Sequence, residues 1–66
     1  MRFALLGAGR IGRLHARLLK ATAGIDSVVV GDVDAERAAD VARTTGVESA
    51  TSIEAAFEGA DAIAIA

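Results

Sequence analysis

Three glycines near the start of the sequence have the spacing of a turn that binds the phosphates of a nucleotide. They are Gly7, Gly9 and Gly12. We predict that Gly7 permits a tight turn out of a strand, Gly9 lets the main chain approach a ligand, and Gly12 lets the next helix pack closely. A helix that begins near the second glycine directs unpaired amide groups and the positive end of its dipole toward the turn. The spacing therefore predicts an anion site that suits a dinucleotide pyrophosphate, although similar glycine turns also occur for steric reasons alone.

A carboxylate lies where a dinucleotide site needs one. Asp32 ends the second apolar run, 20 residues beyond Gly12, which is the expected place for the acid that binds the adenosine ribose. An aspartate at the end of a strand can instead cap a turn, but Asp34 is available for that role and leaves Asp32 free for the ribose. We predict NAD rather than NADP, because this carboxylate repels a 2'-phosphate.

Alternating strand and helix patterns surround these residues. Apolar runs predict strands at residues 3–6, 27–31 and 61–66, and we interpret the weaker stretch at residues 47–51 as an edge strand. Helical spacing predicts helices over residues 10–23, 35–45 and 52–58. The predicted inward positions are Ile11, Leu14 and Leu18 in the first helix, Ala38, Val41 and Ala42 in the second, and Ile53 and Phe57 in the third.

Capping residues mark the predicted ends of the helices. Gly24 stops the first helix, Asp34 and Gly46 bound the second, and Thr51 with Glu54 forms a capping box for the third.

The order of elements predicts an α/β fold, a partial Rossmann-type doubly wound parallel sheet with strand order 3-2-1-4 and helices on both faces. The two long helices should cover one face, and the short helix should cover the other. The topological switch point, where the strand order reverses, falls between strands one and four, beside the glycine turn. We expect residues 1–66 to be one dinucleotide-binding unit, the N-terminal part of a longer protein whose catalytic and substrate-binding domain is absent.

Composition narrows the classes of protein. The 66 residues include no cysteine, which excludes disulfides and thiolate metal sites and fits a reducing cytoplasm; we predict no metal site, no membrane contact and a cytoplasmic location. Residues 1–24 carry four arginines and one lysine without an acid. This basic segment lacks stacking aromatic residues, so we favour a solvated helix face that attracts an anionic cofactor over a nucleic-acid surface.

The sequence resembles the N-terminal domain of the glucose-fructose oxidoreductase and inositol dehydrogenase (Gfo/Idh/MocA) family over its whole length. Three stretches carry the resemblance: GAGRIGRLHARLL at residues 7–19, GDVDAERA at residues 31–38, and DAIAIA at residues 61–66. The resemblance implies that the three glycines shape a pyrophosphate loop, that Arg10 and Ile11 lie against the dinucleotide, and that Asp32 accepts from the ribose. The predicted cofactor-binding residues are thus Gly7, Ala8, Gly9, Arg10, Ile11, Gly12, Asp32 and Val33.

The resemblance also implies what the chain lacks. In such enzymes a lysine of a Glu-Lys-Pro motif beyond strand four, with acid–base residues of a second domain, serves a sugar or cyclitol alcohol. The only lysine here is Lys20, in the first helix, so no catalytic residue is predicted. We expect a packing or hydrogen-bonding role for His15, and for Arg37 a solvated position rather than contact with adenine.

The leading functional hypothesis is the NAD-binding part of an oxidoreductase. The alternatives are a dinucleotide sensor without catalysis, a minimal Rossmann unit, and another doubly wound nucleotide-binding protein such as a methyltransferase. The histidine that follows GRIG weighs against the last. We also expect self-association, as a homodimer, through the edge of strand four or the poorly covered face of the sheet.

Overall fold

Four strands and three helices alternate along the chain, and the computed structural model describes all of residues 1–66. The strands are β1 (Arg2–Leu6), β2 (Ser27–Gly31), β3 (Glu48–Ser49) and β4 (Ala62–Ile65), and the helices are α1 (Arg10–Lys20), α2 (Ala35–Thr45) and α3 (Ile53–Phe57). All neighbouring strands are parallel, in the order β3-β2-β1-β4. The predicted α/β fold and strand order are confirmed.

The central strands β1 and β2 place apolar residues on both sides of the sheet. Leu5 and Val30 lie opposite each other and face α1 and α2, together with the buried residues Ala16, Ala38 and Val41. Ala4 and Val29 face the other side, where Ala56 of α3 packs on them. The two long helices therefore cover one face and the short helix covers the other, as predicted.

The inner side of α1 differs from the one that the sequence pattern predicts. The predicted stripe is exposed: Ile11 is 56%, Leu14 49% and Leu18 59% accessible. Gly12 and Ala16 are buried instead, and Leu19 packs against the core. Both sets have helical spacing, so periodicity alone did not distinguish them. The contact of Gly12 with the glycine turn, described below, decides the rotation of the helix.

The end of α1 also comes earlier than predicted, at Lys20 rather than Ala23. The Thr22 hydroxyl donates a hydrogen bond to the carbonyl oxygen of Leu18 at 2.7 Å. That carbonyl would accept from the Thr22 amide in a continued helix, so the side chain competes with the next helical turn. Gly24 follows in the connecting turn with φ of +89° and is not the helix stop.

The ends of α2 are those that the sequence predicts. The carboxylate of Asp34 accepts hydrogen bonds from the amides of Glu36 and Arg37 at 3.1 and 3.3 Å, and Gly46 closes the helix in the left-handed conformation.

None of the three helices combines the length and apolarity that crossing a membrane requires.

The stretch before β4 departs most from the sequence prediction. The edge strand β3 contains only two residues. The N-cap of α3 is Ser52, whose hydroxyl accepts from the Ala55 amide at 3.1 Å, so the predicted cap at Thr51 is wrong by one residue. Serine and threonine are adjacent here, and both are favourable caps.

The inner side of α3 is built from a smaller residue than predicted. Phe57 is 42% exposed, whereas Ala56 is fully buried and Ile53 is half-buried. A Cβ placed on Gly31 would lie only 2.8 Å from the Cβ of Ala56. The helix therefore approaches β2 too closely for a phenylalanine to lie between them.

The strand β4 forms one edge of the sheet and pairs only with β1. Ile63 and Ile65 lie opposite Ala4 and Leu6 of β1, on the face that α3 covers. They are 50% and 82% exposed. The small helix α3 therefore leaves this edge of the sheet uncovered.

Candidate cofactor-binding site

The turn that follows β1 is held between the ends of the neighbouring strands. The Gly7 amide donates to the carbonyl oxygen of Gly31 at 2.9 Å, and Gly7 has φ of +98°, which side chains rarely tolerate. A Cβ at this position would also lie 3.0 Å from the carbonyl oxygen of Ala66. Gly7 thus forms the tight turn that its position in the sequence predicts.

The second glycine leaves open space above the main chain. Gly9 is the N-cap residue of α1 and has an ordinary φ of −78°, so its role does not depend on a left-handed conformation. A Cβ built on Gly9 meets no atom within 4 Å. No side chain caps the helix, and its first turn contains no acidic residue. The amide groups at the start of α1 therefore face a space that an anion can enter.

The third glycine brings the helix against the turn itself. A Cβ on Gly12 would lie 2.1 Å from the carbonyl oxygen of Gly7. The sequence pattern predicts close packing of the helix on the strand. In the structure this contact is made with Gly7, the first residue after β1. This contact also fixes the direction in which α1 leaves the glycine turn.

The carboxylate of Asp32 is buried and hydrogen-bonded on both oxygens. Its Oδ2 accepts from the Ala8 amide and its Oδ1 from the Asp34 amide, each at 2.8 Å, and the residue is 7% exposed. Asp34 does cap α2, but the expectation that this leaves Asp32 free is wrong, because Asp32 itself accepts from the next turn. An ionised carboxylate has about four acceptor positions, so about two remain for a ligand.

These contacts keep Asp32 ionised. The Asp34 amide is the largest cause that holds the pKa of Asp32 below its usual range; burial opposes it, and the Ala8 amide and the Arg37 guanidinium lower the pKa further. The side chain therefore offers a negative charge and accepts hydrogen bonds rather than donating them.

One cavity of about 340 Å³ opens over the glycine turn at the carboxyl ends of the strands. Seven of the eight predicted cofactor-binding residues line it: Gly7, Ala8, Gly9, Arg10, Ile11, Gly12 and Asp32. Ala66, which follows β4, and Arg37 complete the lining. The cavity therefore lies at the switch between β1 and β4, the place where open parallel sheets bind ligands.

The eighth predicted residue, Val33, lies outside that cavity. It is 91% exposed and lines two neighbouring depressions, of about 280 and 240 Å³, on the side of α3. Asp32 also lines both of them. The three spaces thus meet at Asp32 and form an extended crevice rather than a single round pocket.

Arg37 is a lining residue that sequence reasoning did not assign to the site. Its sequence position could have indicated this place, because Arg37 lies three residues after the N-cap Asp34 and so belongs to the first turn of α2. The first turn of a helix that follows a strand lies at the carboxyl end of the sheet. Arg37 remains exposed, but its charge lies close enough to lower the pKa of Asp32.

Two other residues considered from the sequence lie away from the cavity. His15 is exposed on α1 and makes no side-chain hydrogen bond, so the predicted packing or hydrogen-bonding role is wrong. Lys20 lines a separate cavity of about 170 Å³ at the amino ends of the strands, with Asp26 and Glu48. That cavity is at the opposite end of the sheet from the glycine turn.

The charges around the main cavity favour an anionic ligand next to a hydrogen-bond acceptor. Arg10 and Arg37 line it and form no ion pair, whereas Arg2, Arg13 and Arg43 are paired with acids elsewhere. The open space at Gly9 provides a cradle that a side chain would fill. These features fit the pyrophosphate of a dinucleotide, with Asp32 placed to accept from a neighbouring sugar.

Comparisons with known proteins agree with this geometry. A search of curated proteins finds no match to the chain. The family model GFO_IDH_MocA, described as the oxidoreductase family with an NAD-binding Rossmann fold, matches residues 1–66. The chain therefore belongs to the Gfo/Idh/MocA oxidoreductase family and contains its NAD-binding Rossmann fold.

Proposed function

We propose that the extended crevice around Asp32 binds NAD for an oxidoreductase that transfers a hydride between the nicotinamide and a sugar or cyclitol alcohol. The observation that carries this proposal is the juxtaposition of an ionised, buried carboxylate with a glycine turn whose central residue leaves open space. NAD supplies the hydride acceptor or donor when it is bound. The residues of this chain bind and orient it.

The glycine turn holds the pyrophosphate in this proposal. Amide groups at the start of α1 donate to phosphate oxygens above Gly9, and the dipole of the helix adds a favourable potential. Arg10 lines the same space and contributes positive charge. The carboxylate of Asp32 accepts from the hydroxyls of the adenosine ribose with the acceptor positions that its two backbone contacts leave free.

The same carboxylate favours NAD over NADP. The 2'-phosphate of NADP would approach the negative charge of Asp32 at close range, and the two like charges repel each other. Arg37 lies on the same side and opposes this effect in part, because its guanidinium is able to pair with a phosphate. We expect the buried carboxylate to dominate, because Arg37 is exposed to solvent.

The residues for proton transfer lie outside residues 1–66 in this proposal. The cavity over the glycine turn is lined by no lysine, histidine or glutamate, and both oxygens of Asp32 are engaged by amides. Glu54 lines only the depression beside α3. The chain alone should bind NAD without turnover. The lack of proton-transfer residues in this cavity also supports a second function, a dinucleotide sensor without catalysis. We propose a cytoplasmic location for either protein, because the chain has no cysteine.

We also propose that the chain associates with a second copy along β4. The outer edge of this strand has no partner, and its residues Ala62–Ile65 carry no charge. A free, uncharged edge with two exposed isoleucines is a template for pairing. A two-fold axis through this edge would join two four-stranded sheets into one continuous sheet, a closed arrangement.

Calorimetric titration tests the binding proposal directly. NAD should bind to the folded chain and NADP more weakly, and a polyol panel added to the NAD complex should produce no change in nicotinamide absorbance. Absence of NAD binding to a chain that circular dichroism shows to be folded would overturn the proposal. Equal or tighter binding of NADP would overturn the assignment of Asp32.

A further inference from the structure

The glycine turn donates a hydrogen bond to only one side chain. Of the amides and carbonyls of residues 7–12, the Ala8 amide alone contacts a side-chain atom, Oδ2 of Asp32 at 2.8 Å. These two residues are 24 positions apart in the chain, and both are buried: Ala8 is 4% and Asp32 7% exposed. The end of β2 therefore holds the turn that follows β1 through a charge-assisted contact inside the protein.

The other oxygen of Asp32 holds its own carboxylate in place. Oδ1 accepts from the Asp34 amide at 2.8 Å, a local turn that limits how the side chain rotates. On the other side of the contact, the Gly7 amide is bonded to the Gly31 carbonyl at 2.9 Å. The carboxylate thus links the glycine turn to the start of the β2–α2 connection and holds the two backbone segments in a defined relative position.

We infer that Asp32 is a positioning residue for the pyrophosphate as well as an acceptor for the ribose: by binding the Ala8 amide, it holds the glycine turn in the conformation that opens the start of α1 to phosphate. This inference rests on the proposed function for the identity of the ligand. The hydrogen-bonded contact itself is a property of the free chain.

One consequence is that the amides of the turn donate to different acceptors. A backbone amide carries one hydrogen, so the amide of Ala8 donates to Asp32 and not to phosphate. The phosphate donors are then the amides at the start of α1, above Gly9. Altering the carboxylate should therefore change the affinity for a ligand that contacts Asp32 and also the affinity for a ligand that contacts only the turn.

A second consequence separates this role from simple charge repulsion. Removing the negative charge of Asp32 would strengthen the binding of a bare anion if electrostatics alone acted. If Asp32 holds the turn, the same change weakens the binding of an anion that never contacts the carboxylate. The two accounts therefore predict opposite signs for inorganic pyrophosphate.

The first experiment uses the wild-type chain without any ligand. Nuclear magnetic resonance across acid pH should show the amide proton of Ala8 and the side-chain carboxyl carbon of Asp32 titrating with one common midpoint. The other charged side chains around this carboxylate are Arg37 and Asp34 on the β2–α2 side, Arg10 on α1 and Glu54 on α3. If the Ala8 amide instead follows another group, or does not titrate, the inference is wrong.

The second experiment compares Asp32→Asn with Asp40→Asn, which removes the same charge from an exposed acid that pairs with Arg13 and Arg43. An asparagine has a single side-chain acceptor oxygen in place of the two that the amides of Ala8 and Asp34 use. We expect Asp32→Asn to weaken inorganic pyrophosphate binding about tenfold and to accelerate hydrogen exchange at Ala8 more than at Val30. Asp40→Asn should change neither property.

The outcomes distinguish this inference from the proposed function. Unchanged or tighter pyrophosphate binding in Asp32→Asn overturns the positioning role, whatever NAD does. If pyrophosphate binding falls but NAD never binds to the wild type, the positioning role stands and the NAD proposal fails. If Asp32→Asn does not fold, the wild-type titration decides.

Discussion

A Cβ on Gly12 would lie 2.1 Å from the carbonyl oxygen of Gly7 and 2.9 Å from its carbonyl carbon. The first turn of α1 and the turn that follows β1 are therefore in direct contact, with no room for a side chain between them. The neighbouring atoms belong to the main chain, so a small rotation of a flexible group does not relieve the overlap. This contact turns α1 so that its small residues face the sheet.

Gly12→Ala should lower the stability of the chain. Overpacking costs about 1–3 kcal/mol or more, and the better helix propensity of alanine returns up to about 1 kcal/mol. We expect the free energy of unfolding, measured with urea, to fall by about 2 kcal/mol. Gly9→Ala is the matched control and should change it by less than about 1 kcal/mol, because nothing lies near that Cβ. Equal losses in the two variants would contradict the role of the contact.

Gly9→Val should weaken cofactor binding strongly while the fold persists. Gly9 has a negative φ and open space around its Cβ, so valine fits the free chain but occupies the position over which the pyrophosphate passes. We expect at least about tenfold weaker NAD binding by calorimetry, with an unchanged circular dichroism spectrum. Ala39→Val adds the same kind of side chain to the exposed side of α2 and should bind normally. Unchanged affinity in Gly9→Val would show that phosphate does not cross the turn.

Asp32→Ala should narrow the preference for NAD over NADP. The substitution removes both the acceptor for the ribose and the charge that repels a 2'-phosphate, while Arg37 remains in the lining. We expect the ratio of the two dissociation constants to move toward unity by about tenfold. The ratio is the informative quantity, because loss of the Ala8 contact weakens both cofactors. A ratio that does not change would assign the preference to another residue.

The stability of the chain should fall in acid because of Asp32. Its pKa in the folded state lies below the ordinary value of 3.8, so its contribution is complete above that value and is lost as the pH falls through the lower, folded-state pKa. Urea titrations at a series of pH values should show this loss, and Asp32→Asn should flatten it. Asp26, whose pKa the amino terminus lowers, serves as comparison: Asp26→Asn should flatten the curve less, because water screens that exposed pair. The reverse order would contradict the prediction.

Ile63→Lys should weaken self-association. Ile63 is 50% exposed on the uncovered side of β4, where a second copy would bury it in the proposed dimer. Burial of an isoleucine contributes about 1.5–3 kcal/mol, so the dimer dissociation constant should rise about tenfold or more in light scattering across a dilution series. Ala39→Lys adds the same charge on α2 and should leave association unchanged. A wild-type chain that is a folded monomer at every concentration would exclude the dimer.

The sequence predicted the elements whose ends carry strong local signals. Asp34 and Gly46 bound α2 because a side-chain acceptor and a left-handed glycine act through the nearest backbone groups. Prediction failed where two local solutions were nearly equal. Thr51 and Ser52 are both good caps, and the stripes Ile11-Leu14-Leu18 and Gly12-Ala16-Leu19 both have helical spacing. Packing on the sheet selected the second stripe, although the first is more hydrophobic.

The parallel α/β order, the glycine turn and the acid that follows β2 were predictable from the sequence, because they follow from apolar runs and from spacings within one strand–helix–strand unit. Which residues of α1 and α3 face inward depends on packing in the folded chain, because the close approaches at Gly12 and Gly31 admit only small side chains. The same is true of the contact between Asp32 and the Ala8 amide and of the position of Arg37 in the cavity lining. These arrangements bring together segments that are 24 or more residues apart. Local sequence pattern does not indicate which side chains meet across such a separation.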